Sequence, residues 1–573
     1  MFLSRLRVAN FRGLQHLELK LDSTTVLIGE NNSGKTSLLA ALDRLLGIDA
    51  EGDAFGFQPA DFHVAGERHT DASTPPIELE VELCERSLGE WSGDGEQRLA
   101  GAMRSGPDGI RQIVLRVVAS KSQAGAPPAI HVDHCFLDAQ GTPISPRPDA
   151  ALLGELRRKS PLILIGTDRY FRHPHGRGER TATPLPSGQA REATARHELE
   201  LQVDRVYRTL CDSRVLPADE LRAGLAAVGQ WIAQIERGAS RTERRPRLLG
   251  DLVEAPVRLT LGSGPRLEAQ LQGAGAQSIG LLVLLGALLE ARAHERLDRD
   301  AQPLVAIEEP EAHLHPLMLM SIWSLIDGLP AQKLITTNSA ELLAAVPLRA
   351  VRRLAPRRGA SQLFGLSEGS LDVEELRRVT YHVRVKRGGV FFARCWLLVE
   401  GETEFWLLPE LARLCGFDLA GEGITCVEFA QCGPVPLVKV ANDLGIAWQL
   451  LVDGDTSGKR YAESVREHLG LSEECENVTI LKERDIEHCL WRHGYADVYR
   501  TAAGRRTGEE HAQGGKRGER PARVIERAVR AKSKPYLALE AIRAAGAAGA
   551  PGVPEPLRAV IEAVVRRARE SGR

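Results

Sequence analysis

The stretch that decides the fold is Gly29-Glu30-Asn31-Asn32-Ser33-Gly34-Lys35-Thr36, which fits the pattern GxxxxGK[ST]. An apolar segment, Val26–Ile28, precedes it, and an apolar helical pattern, Ser37–Leu46, follows it. A short buried strand, a glycine-rich turn and a helix are the context that this motif requires. Backbone N–H groups at such a helix N-terminus wrap phosphate oxygens. The sequence therefore predicts a P-loop that binds a nucleotide.

The loop residues have separate expected roles toward ATP. Lys35 is expected to reach the β- and γ-phosphates, and Thr36 is expected to hold one Mg²⁺ ion. The loop residues expected to contact the nucleotide are Gly29, Asn31, Asn32, Ser33, Gly34, Lys35, Thr36 and Ser37. ATP with one Mg²⁺ ion is therefore the first expected cofactor.

A second element of the nucleotide site is an apolar strand, Leu304–Ile307, that runs directly into Glu308 and Glu309. A strand end delivers acids to the rim of a parallel sheet, where ligands bind. Glu308 is expected to hold Mg²⁺ through water, although an Asp is usual at this position. Glu309 is expected to polarise the water that attacks ATP, as the catalytic residue of the ATPase.

Three stretches resemble the SMC/RecF-like branch of ABC ATPases, namely VANFRGL at 8–14, GKTSLL at 34–39 and EEPEAHLHP at 308–316. The resemblance implies paired heads that sandwich ATP, with a glycine-rich signature of one head closing over the γ-phosphate bound to the other. LQGAGAQS at 271–278 is the expected signature, with Gly273, Gly275 and Gln277 as its nucleotide contacts.

The same resemblance assigns two further positions beside the nucleotide. Arg12 stands where this branch has a basic residue, and Asn338 stands where it usually has a His switch. Asparagine can donate a hydrogen bond to a phosphate but cannot carry a proton at neutral pH. We therefore expect slow ATP turnover.

A second set of acids follows two other apolar strands. Glu400 ends the strand Cys395–Val399, and Asp453 and Asp455 end a strand about fifty residues later. Two parallel strands would bring these carboxylates to one sheet edge, and Glu404 would join them one helical turn on. Clustered carboxylates need a counter-charge. Mg²⁺ or Mn²⁺ favours such oxygen ligands, so the pattern predicts a metal site.

This arrangement, with one strand ending in Glu and another in Asp-x-Asp, resembles a toprim domain, which occurs in topoisomerases, primases and several nucleases. An ABC-type head split by a helical insert and followed by a toprim domain is the arrangement of OLD-family (overcoming lysogenization defect) nucleases. The stretches that resemble this family are FARCWLLVEGETE at 392–404, VEFAQCG at 427–433, LVDGDTSGKRYA at 451–462 and SKPYLALE at 533–540.

The OLD resemblance implies DNA cutting with two metal ions and dimerisation through the helical insert. It also implies a catalytic lysine late in the toprim domain, which we assign to Lys534, with Lys532 as the alternative; its role is to stabilise transition-state charge. Glu487 or Asp485 is expected to complete the second metal site. An acidic cap at a helix start is the alternative for both acids.

The sequence predicts an α/β fold in which an ABC-type P-loop head is interrupted by a helical insert and followed by a toprim domain. The expected domains are 1–190 as the first ATPase lobe, 191–250 as the dimerising insert, 251–368 as the second lobe and 390–573 as the nuclease domain with its helical extension.

Composition limits the classes of partner. The net charge of −2 gives no bulk attraction to nucleic acid, so DNA binding needs a local basic surface. The stretch 505–534, with ten Lys or Arg and four acids, is a candidate, and a solvated flexible loop is its alternative. No apolar run is long enough to span a bilayer, and nine scattered cysteines without CxxC spacing suit a reducing compartment. We expect a cytoplasmic protein with no membrane contact.

These observations favour an ATP-dependent, metal-dependent DNA endonuclease that acts as a homodimer or a larger homo-oligomer, with any accessory protein unidentified. Two alternatives stay open. One is a DNA-binding remodelling ATPase whose toprim-like domain does not cut, and the other is a toprim nuclease that processes structured RNA. No motif predicts which base sequence is read.

Overall fold

The computed structural model describes residues 1–47, 56–63, 75–91, 98–106, 108–121, 130–144, 148–166, 258–259, 267–268, 302–312, 314–357, 360–386, 388–470, 476–504 and 520–572. The predicted helical insert 191–250 and the predicted signature residues Gly273, Gly275 and Gln277 lie outside the described residues. The chain divides into two compact units, one of Met1–Leu354 with Ala360–Leu363 and the other of Ala355–Gly359 with Phe364–Arg573.

The first unit contains an antiparallel sheet with the strand order β2-β1-β4-β6-β5, and β7 pairs with β6. Its strands are β1 Phe2–Phe11, β2 Leu14–Lys20, β4 Ile77–Cys84, β5 Arg104–Ser105, β6 Arg111–Lys121 and β7 Ile130–Phe136. Along β4 the apolar side chains Ile77, Leu79, Val81 and Leu83 alternate with acids and are buried. One face of the sheet therefore faces the core.

The second sheet of this unit has the order β14-β13-β3-β12-β11-β8. Its strands are β3 Thr24–Gly29, β8 Leu162–Ile165, β11 Leu304–Glu308, β12 Gln332–Thr336, β13 Val351–Arg357 and β14 Ala360–Gly365. The pairs from β8 through β13 are parallel, and the near-continuous apolar runs of β3 and β11 suit strands buried on both faces. Glu308 pairs in register with Thr336, so the carboxyl ends of β11 and β12 meet at one edge.

Short elements complete the description of the first unit. A two-stranded antiparallel pair joins β9 Arg258–Leu259 and β10 Leu267–Glu268. The helices are α1 Lys35–Leu46, α2 Ala150–Lys159, α3 Leu319–Asp327 and α4 Ala340–Ala345. Helix α1 buries Leu38, Leu42 and Leu45 against the core, which is the spacing of one apolar helix face. This packing fixes the loop that precedes the helix.

The second unit has a four-stranded sheet with the order β16-β15-β17-β18. Its strands, β15 Cys395–Val399, β16 Ile424–Glu428, β17 Ala447–Val452 and β18 Val478–Ile480, are all parallel. The central strand β15 is buried at every position. Parallel strands buried on both faces need helical cover.

Helices supply that cover in the second unit. They are α5 Val373–Lys386, α6 Glu402–Leu414, α7 Pro434–Asp443, α8 Thr456–Leu469, α9 Ile486–Leu490, α10 Ala496–Ala502, α11 Pro521–Ala531, α12 Lys534–Ala545 and α13 Glu555–Ser571. Helix α6 packs on α12, and α13 packs on β17. No helix in the described ranges combines the length and the apolar character needed to cross a membrane.

Candidate functional site

The P-loop is shaped by close backbone approaches. Gly29 has a φ of 158°, and a Cβ there would lie 2.4 Å from the carbonyl oxygen of Leu354. Gly34 has a φ of 102°, and a Cβ there would lie 2.5 Å from Cδ2 of Leu14. No larger residue fits either position without moving its neighbour. The two glycines of the motif are therefore required by the geometry of the loop.

The side chain of Lys35 folds back over the P-loop. Its Nζ atom donates hydrogen bonds to the carbonyl oxygens of Gly29, at 2.8 Å, and Glu30, at 3.1 Å. Burial lowers the pKa of Lys35, although the neighbouring carboxylates of Glu309 and Glu311 act against burial. A buried ammonium surrounded by acids is a ready counter-charge for phosphate oxygens.

The two predicted Mg²⁺ ligands of the nucleotide site are in direct contact. Thr36 Oγ1 donates a hydrogen bond of 2.5 Å to Glu308 Oε1. The contact brings the end of β11 to the start of α1, as the strand and P-loop context predicts. Hydroxyl and carboxylate oxygens are suitable donors for Mg²⁺.

Glu309 is held in a left-handed backbone conformation, with a φ of 44°. Its N–H donates to the carbonyl oxygen of Thr336 at 2.9 Å. Asn338 Nδ2 donates to Glu309 Oε1 at 2.6 Å. A non-glycine residue at positive φ stores strain that is typical of functional sites, and Asn338 orients the carboxylate.

Glu311, which sequence reasoning did not single out, joins this network. Its Oε1 accepts hydrogen bonds from Thr337 Oγ1, at 2.8 Å, and from Asn338 N, at 2.7 Å. Its Oε2 is buried without a hydrogen-bond partner. The signal in the sequence is that Glu311 is the third acid of the EEPE stretch. A turn that is merely exposed to solvent does not need a third carboxylate.

Arg12 has a defined partner. Its Nε donates to Asp61 Oδ1 at 2.9 Å, and Arg44 lies 3.4 Å from the other oxygen of the same buried carboxylate. Arg12 itself has a φ of 49°. The Asp61 contact fixes the guanidinium, so only its remaining N–H groups are available for a phosphate. A role of Arg12 beside the nucleotide stays a prediction.

The second unit gathers acids at the carboxyl ends of β15 and β17. Glu400 follows β15, and Asp453 follows β17, its neighbour in the sheet. Glu404 is buried in the first turn of α6, and its Oε2 accepts a hydrogen bond of 3.1 Å from Gly401 N. Asp455 caps α8 by accepting from Gly458 N at 2.8 Å. We call Glu400, Glu404, Asp453, Asp455, Asp485 and Glu487 the acidic cluster.

Two glycines allow the chain to turn tightly beside Asp453. A Cβ on Gly454 would lie 2.2 Å from the carbonyl oxygen of Glu483, and a Cβ on Gly458 would lie 2.1 Å from that of Asp453. Both approaches are to backbone atoms, which cannot rotate away. The Asp-Gly-Asp-x-x-Gly spacing is therefore required for the backbone to pass this edge.

Helix α9 brings the remaining acids of the cluster. Asp485 caps this helix by accepting hydrogen bonds from His488 N, at 2.9 Å, and His488 Nδ1, at 2.6 Å. Glu487 is buried, and its Oε1 lies 3.0 Å from Lys534 Nζ. Asp485 is therefore an acidic helix cap, which was the alternative to a metal-binding role. The Glu487 carboxylate instead contacts Lys534.

Burial, and then mutual repulsion, raises the pKa values of most carboxyl groups of the cluster. Burial, with the charges of Glu404 and Glu400, raises the pKa of Asp453 to about 8. Burial and the charge of Glu487 raise the pKa of Glu404 to about 7. Burial and the charge of Asp455 also raise the pKa of Glu400. Asp485 shifts the other way. Hydrogen bonds from His488 outweigh burial and lower the pKa of Asp485.

Lys534 is the cation that faces this cluster. Burial alone would lower its pKa, but attraction to Glu487 and Asp485 raises it. The same lysine opposes the rise caused by burial in the pKa of Glu487. One ammonium cannot balance the whole cluster, so a further positive charge is required when all of its acids are ionised.

A divalent metal ion is the natural source of that charge. Among the described residues, no three His, Cys, Asp or Glu side chains are gathered closely enough to hold a metal ion as they stand. The donor chemistry nevertheless fits Mg²⁺ or Mn²⁺, because it consists of carboxylates. Glu400 Oε2 is buried without a hydrogen-bond partner, as expected of an oxygen that awaits a cation.

Comparison with known proteins assigns the chain to a family. Residues 1–390 match the family model described as "Protein of unknown function (DUF2813)". The chain belongs to the DUF2813 family. Residues 391–455 match the model described as "Overcoming lysogenization defect protein-like, TOPRIM domain". The predicted α/β fold class and the predicted OLD-like toprim domain are confirmed.

Three relatives are similar to this DUF2813 chain. The Escherichia coli (strain K12) protein YbjD, described as uncharacterized, is 34% identical over 99% of both chains. The endonuclease GajA of Bacillus cereus (strain VD045) is 40% identical over 80 residues, which cover 14% of this chain and 13% of GajA. The DNA replication and repair protein RecF of Rickettsia akari (strain Hartford) is 55% identical over 42 residues, which cover 7% of this chain and 12% of RecF.

Sequence reasoning missed two residues of this DUF2813 chain that interact with the charges of the acidic cluster. His488 donates to Asp485, and its signal was the His three residues after an acidic helix cap. Tyr499 is fully buried, and burial together with the charges of Glu487 and Asp485 raises its pKa. A single buried Tyr on a helix carries no sequence signal that separates it from ordinary core.

Proposed function

We propose that this chain is an ATP-dependent, divalent-metal-dependent DNA endonuclease. The observation that carries the proposal is the acidic cluster at one sheet edge, faced by the ammonium of Lys534, which lies 3.0 Å from Glu487. An excess of buried and half-buried carboxylates beside a lysine suits phosphodiester hydrolysis, which needs bound metal and a cation near the developing charge. The local similarity to the endonuclease GajA supports the same chemistry.

Each residue of the acidic cluster has a proposed task. Glu400, Glu404, Asp453 and Asp455 would hold one Mg²⁺ or Mn²⁺ ion, and Asp485 and Glu487 would help to hold a second. When bound, such ions supply the positive charge that activates a water and stabilises the leaving oxygen. Lys534 would stabilise the charge that develops on the scissile phosphate, and Glu487 would hold its ammonium in place.

The nucleotide site is proposed to control the cutting. Lys35 and the loop N–H groups would bind the phosphates of ATP, and Thr36 and Glu308 would hold its Mg²⁺. Glu309, oriented by Asn338 at 2.6 Å, would accept the proton of the attacking water. ATP binding would close paired heads through Gly273, Gly275 and Gln277, and hydrolysis would reset them.

The assembly follows from the same proposal. A homodimer joined through 191–250 would place two nucleotide sites and two acidic clusters in one particle, acting on DNA in the cytoplasm. The basic stretch 505–534, with ten Lys or Arg, would attract the DNA backbone with strong salt dependence. Sedimentation of the chain with and without residues 191–250 checks the dimer.

Plasmid cleavage tests the proposal directly. We would incubate the full chain and its Glu400→Ala and Lys35→Ala variants with supercoiled plasmid, with Mg²⁺ or Mn²⁺ and with or without ATP. Nicking that disappears in Glu400→Ala is the expected result, and Lys35→Ala should remove its ATP dependence. The matched control is Glu410→Ala, an acid on α6 outside the acidic cluster, which should cut like the parent.

Two results would move the assignment elsewhere. ATP hydrolysis without cutting in any metal would favour the remodelling ATPase. Cutting of folded RNA in preference to DNA duplexes would favour the RNA-processing nuclease.

A further inference from the structure

A cavity of about 410 Å³ lies between helix α5 and the turn that follows β16. We call it the arginine pocket. The side chains of its two arginines, Arg377 and Arg378, are 68% and 50% exposed, so a ligand can reach both guanidinium groups from solvent. The described residues that line the pocket are Glu374, Arg377, Arg378, Tyr381, His382 and Gln431.

The turn that closes the arginine pocket lies at the same sheet edge as the acidic cluster. Strands β15 and β16 are parallel, and Val399 pairs in register with Glu428, so the two strands end together. Phe429 N donates to the carbonyl oxygen of Val399 at 2.9 Å, and Val399 directly precedes Glu400. Gln431 follows two residues after Phe429. The pocket therefore reaches the carboxyl edge of the sheet, where ligands of α/β folds bind.

A buried ion pair fixes helix α5 against this turn. Lys439 Nζ, on helix α7, donates to both carboxylate oxygens of Glu375 at 2.8 Å, and the two side chains are 15% and 20% exposed. Helix α7 begins directly after the turn. Burial raises the pKa of Cys432 in the turn, and the charge of Arg378 opposes that rise. Arg378 is thus held close to the turn and cannot drift away with its helix.

The arginine pocket has an excess of positive charge. Glu374 Oε2 accepts from Arg377 Nε at 2.7 Å, and its Oε1 accepts from Arg377 Nη2 at 2.8 Å and from Arg378 Nε at 2.9 Å. These bonds hold the pKa of Glu374 at about 2, so one carboxylate faces two guanidinium groups. A guanidinium carries more N–H groups than these bonds use. Its planar fork of donors matches the oxygens of a phosphate.

The strand order places this positive charge on the side of the acidic cluster away from Lys534. The order is β16-β15-β17-β18. Lys534 contacts Glu487, whose helix follows β18, whereas the arginine pocket adjoins the end of β16. Neighbouring strands are about 4.8 Å apart, so the whole edge is short compared with a strand of several nucleotides. A nucleic-acid strand with one phosphate at Glu400 would bring a neighbouring phosphate to the pocket.

We propose that the arginine pocket binds a backbone phosphate of the DNA strand that is cut, on the β16 side of the acidic cluster. Such a contact positions the strand and reads no base. This inference rests on the proposed nuclease function and adds a second binding site for the same strand.

DNA binding as a function of salt concentration tests the pocket apart from cutting. The variants are made in the full chain that carries Glu400→Ala, so that DNA stays intact with Mg²⁺, and anisotropy of a fluorescent duplex reports the Kd. Arg377→Ala with Arg378→Ala should weaken binding about tenfold. The plot of log K against log salt should become shallower by about 1, as expected for one lost phosphate contact.

A variant with the opposite sign excludes a loss of fold as the cause. Glu374→Gln removes the negative charge from the pocket and should tighten DNA binding severalfold. Arg413→Ala is the matched control, because Arg413 is 62% exposed and pairs with Glu410 three residues earlier on α6; it should bind like the Glu400→Ala chain. The pocket is overturned if the double arginine variant binds like that chain, if Arg413→Ala weakens binding equally, or if none of these chains binds DNA.

Other sources of phosphate give different results in the same variants. A fluorescent ATP analogue should bind the double arginine variant as it binds the parent, and a loss of its binding would assign the pocket to a nucleotide instead. Folded RNA that binds more tightly than the DNA duplex, and that the double variant releases, would overturn DNA as the occupant.

A cleavage assay separates failure of the pocket from failure of the proposed function. With Mn²⁺, ATP and an intact Glu400, the double arginine variant should cut plasmid with a raised KM, because the pocket binds substrate away from the reacting atoms. Weakened DNA binding in the variant with no cutting by the parent would keep the pocket and reject the nuclease. Cutting with the same KM in both chains would keep the nuclease and reject the pocket.

Discussion

Lys534 Nζ lies 3.0 Å from Glu487 Oε1, and the Glu487 side chain is only 3% exposed while that of Lys534 is 51% exposed. The buried partner is therefore the carboxylate. A buried charge that loses its partner is strongly destabilising, whereas an exposed ammonium loses little. The contact links the predicted catalytic lysine to the stability of the acidic cluster.

Lys534→Ala should both abolish DNA cutting and destabilise the protein. The expected loss in the free energy of unfolding is about 1–2 kcal/mol, less than for a fully buried pair because water screens the half-exposed lysine. Urea unfolding in EDTA measures the stability, and plasmid nicking measures the activity. Arg543→Ala, which removes an exposed cation from the same helix, is the control and should change neither.

A second substitution separates the two effects of Lys534. Adding Glu487→Gln to Lys534→Ala removes the uncompensated charge, so stability should return while cutting stays absent. If Lys534→Ala alone cuts plasmid at the rate of the parent, the assignment of the catalytic lysine is wrong.

The acidic cluster should make the metal-free protein less stable as the pH rises. Asp453 and Glu404 have pKa values of about 8 and about 7 in the folded chain, above their ordinary values of 3.8 and 4.5. At pH values between the ordinary and the raised pKa, each of these two carboxyl groups keeps its proton in the folded state and has lost it in the unfolded state. Stability therefore falls as the pH increases through this window.

Urea unfolding in EDTA at a series of pH values from about 5 to 8 checks this slope. Asp453→Asn should flatten it, because the amide does not titrate. Added Mg²⁺ or Mn²⁺ should stabilise the parent, and more so at higher pH, as more carboxylates become available to the ion. A slope that is the same in Asp453→Asn and the parent would assign the pH dependence to other groups.

At the nucleotide site, Asn338→Ala should slow ATP hydrolysis without preventing ATP binding. Asn338 Nδ2 donates to Glu309 Oε1 at 2.6 Å, and loss of this bond frees the carboxylate that is proposed to activate water. A fall in kcat of about tenfold or more, with KM nearly unchanged, is expected for a group that acts in the transition state. Glu341→Ala, an exposed acid on the following helix, is the control.

The sequence predicts the parts of this molecule that depend on local pattern. The P-loop, the strand that ends in Glu308 and the two strands that end in Glu400 and Asp453 all follow from short apolar runs bounded by glycines and acids. The ends of helices are less predictable: helix α5 runs over Val373–Lys386, and boundaries of this kind depend on caps more than on apolar period.

Long-range contacts were beyond sequence reasoning. Glu311 pairs with Thr337 across the ends of two strands, and Arg12 pairs with Asp61, which lies 49 residues away. No local pattern links such residues, since the sheet register alone decides which side chains meet. The same holds for Tyr499, whose pKa is raised by burial and in part by the charges of Glu487 and Asp485 and whose helix α10 packs on α11 and α12.

Gly458→Ala should impair both folding and cutting, although alanine favours a helix. In α8 the exchange would gain about 1 kcal/mol of helix propensity. The added Cβ would lie 2.1 Å from the carbonyl oxygen of Asp453, and overpacking of this kind costs about 1–3 kcal/mol. The clash is with backbone, so it should outweigh the gain and displace Asp453 from the acidic cluster.

Urea unfolding and plasmid nicking of Gly458→Ala measure the two consequences. Glu463→Ala, an exposed position of the same helix, gains propensity without a clash and should keep full activity. Because burial and the charges of neighbouring acids together raise the pKa of Asp453 to about 8, its displacement should also flatten the pH slope of stability. A stable, fully active Gly458→Ala would show that the turn after Asp453 relaxes at little cost, and the close approach would then not be what fixes this acid.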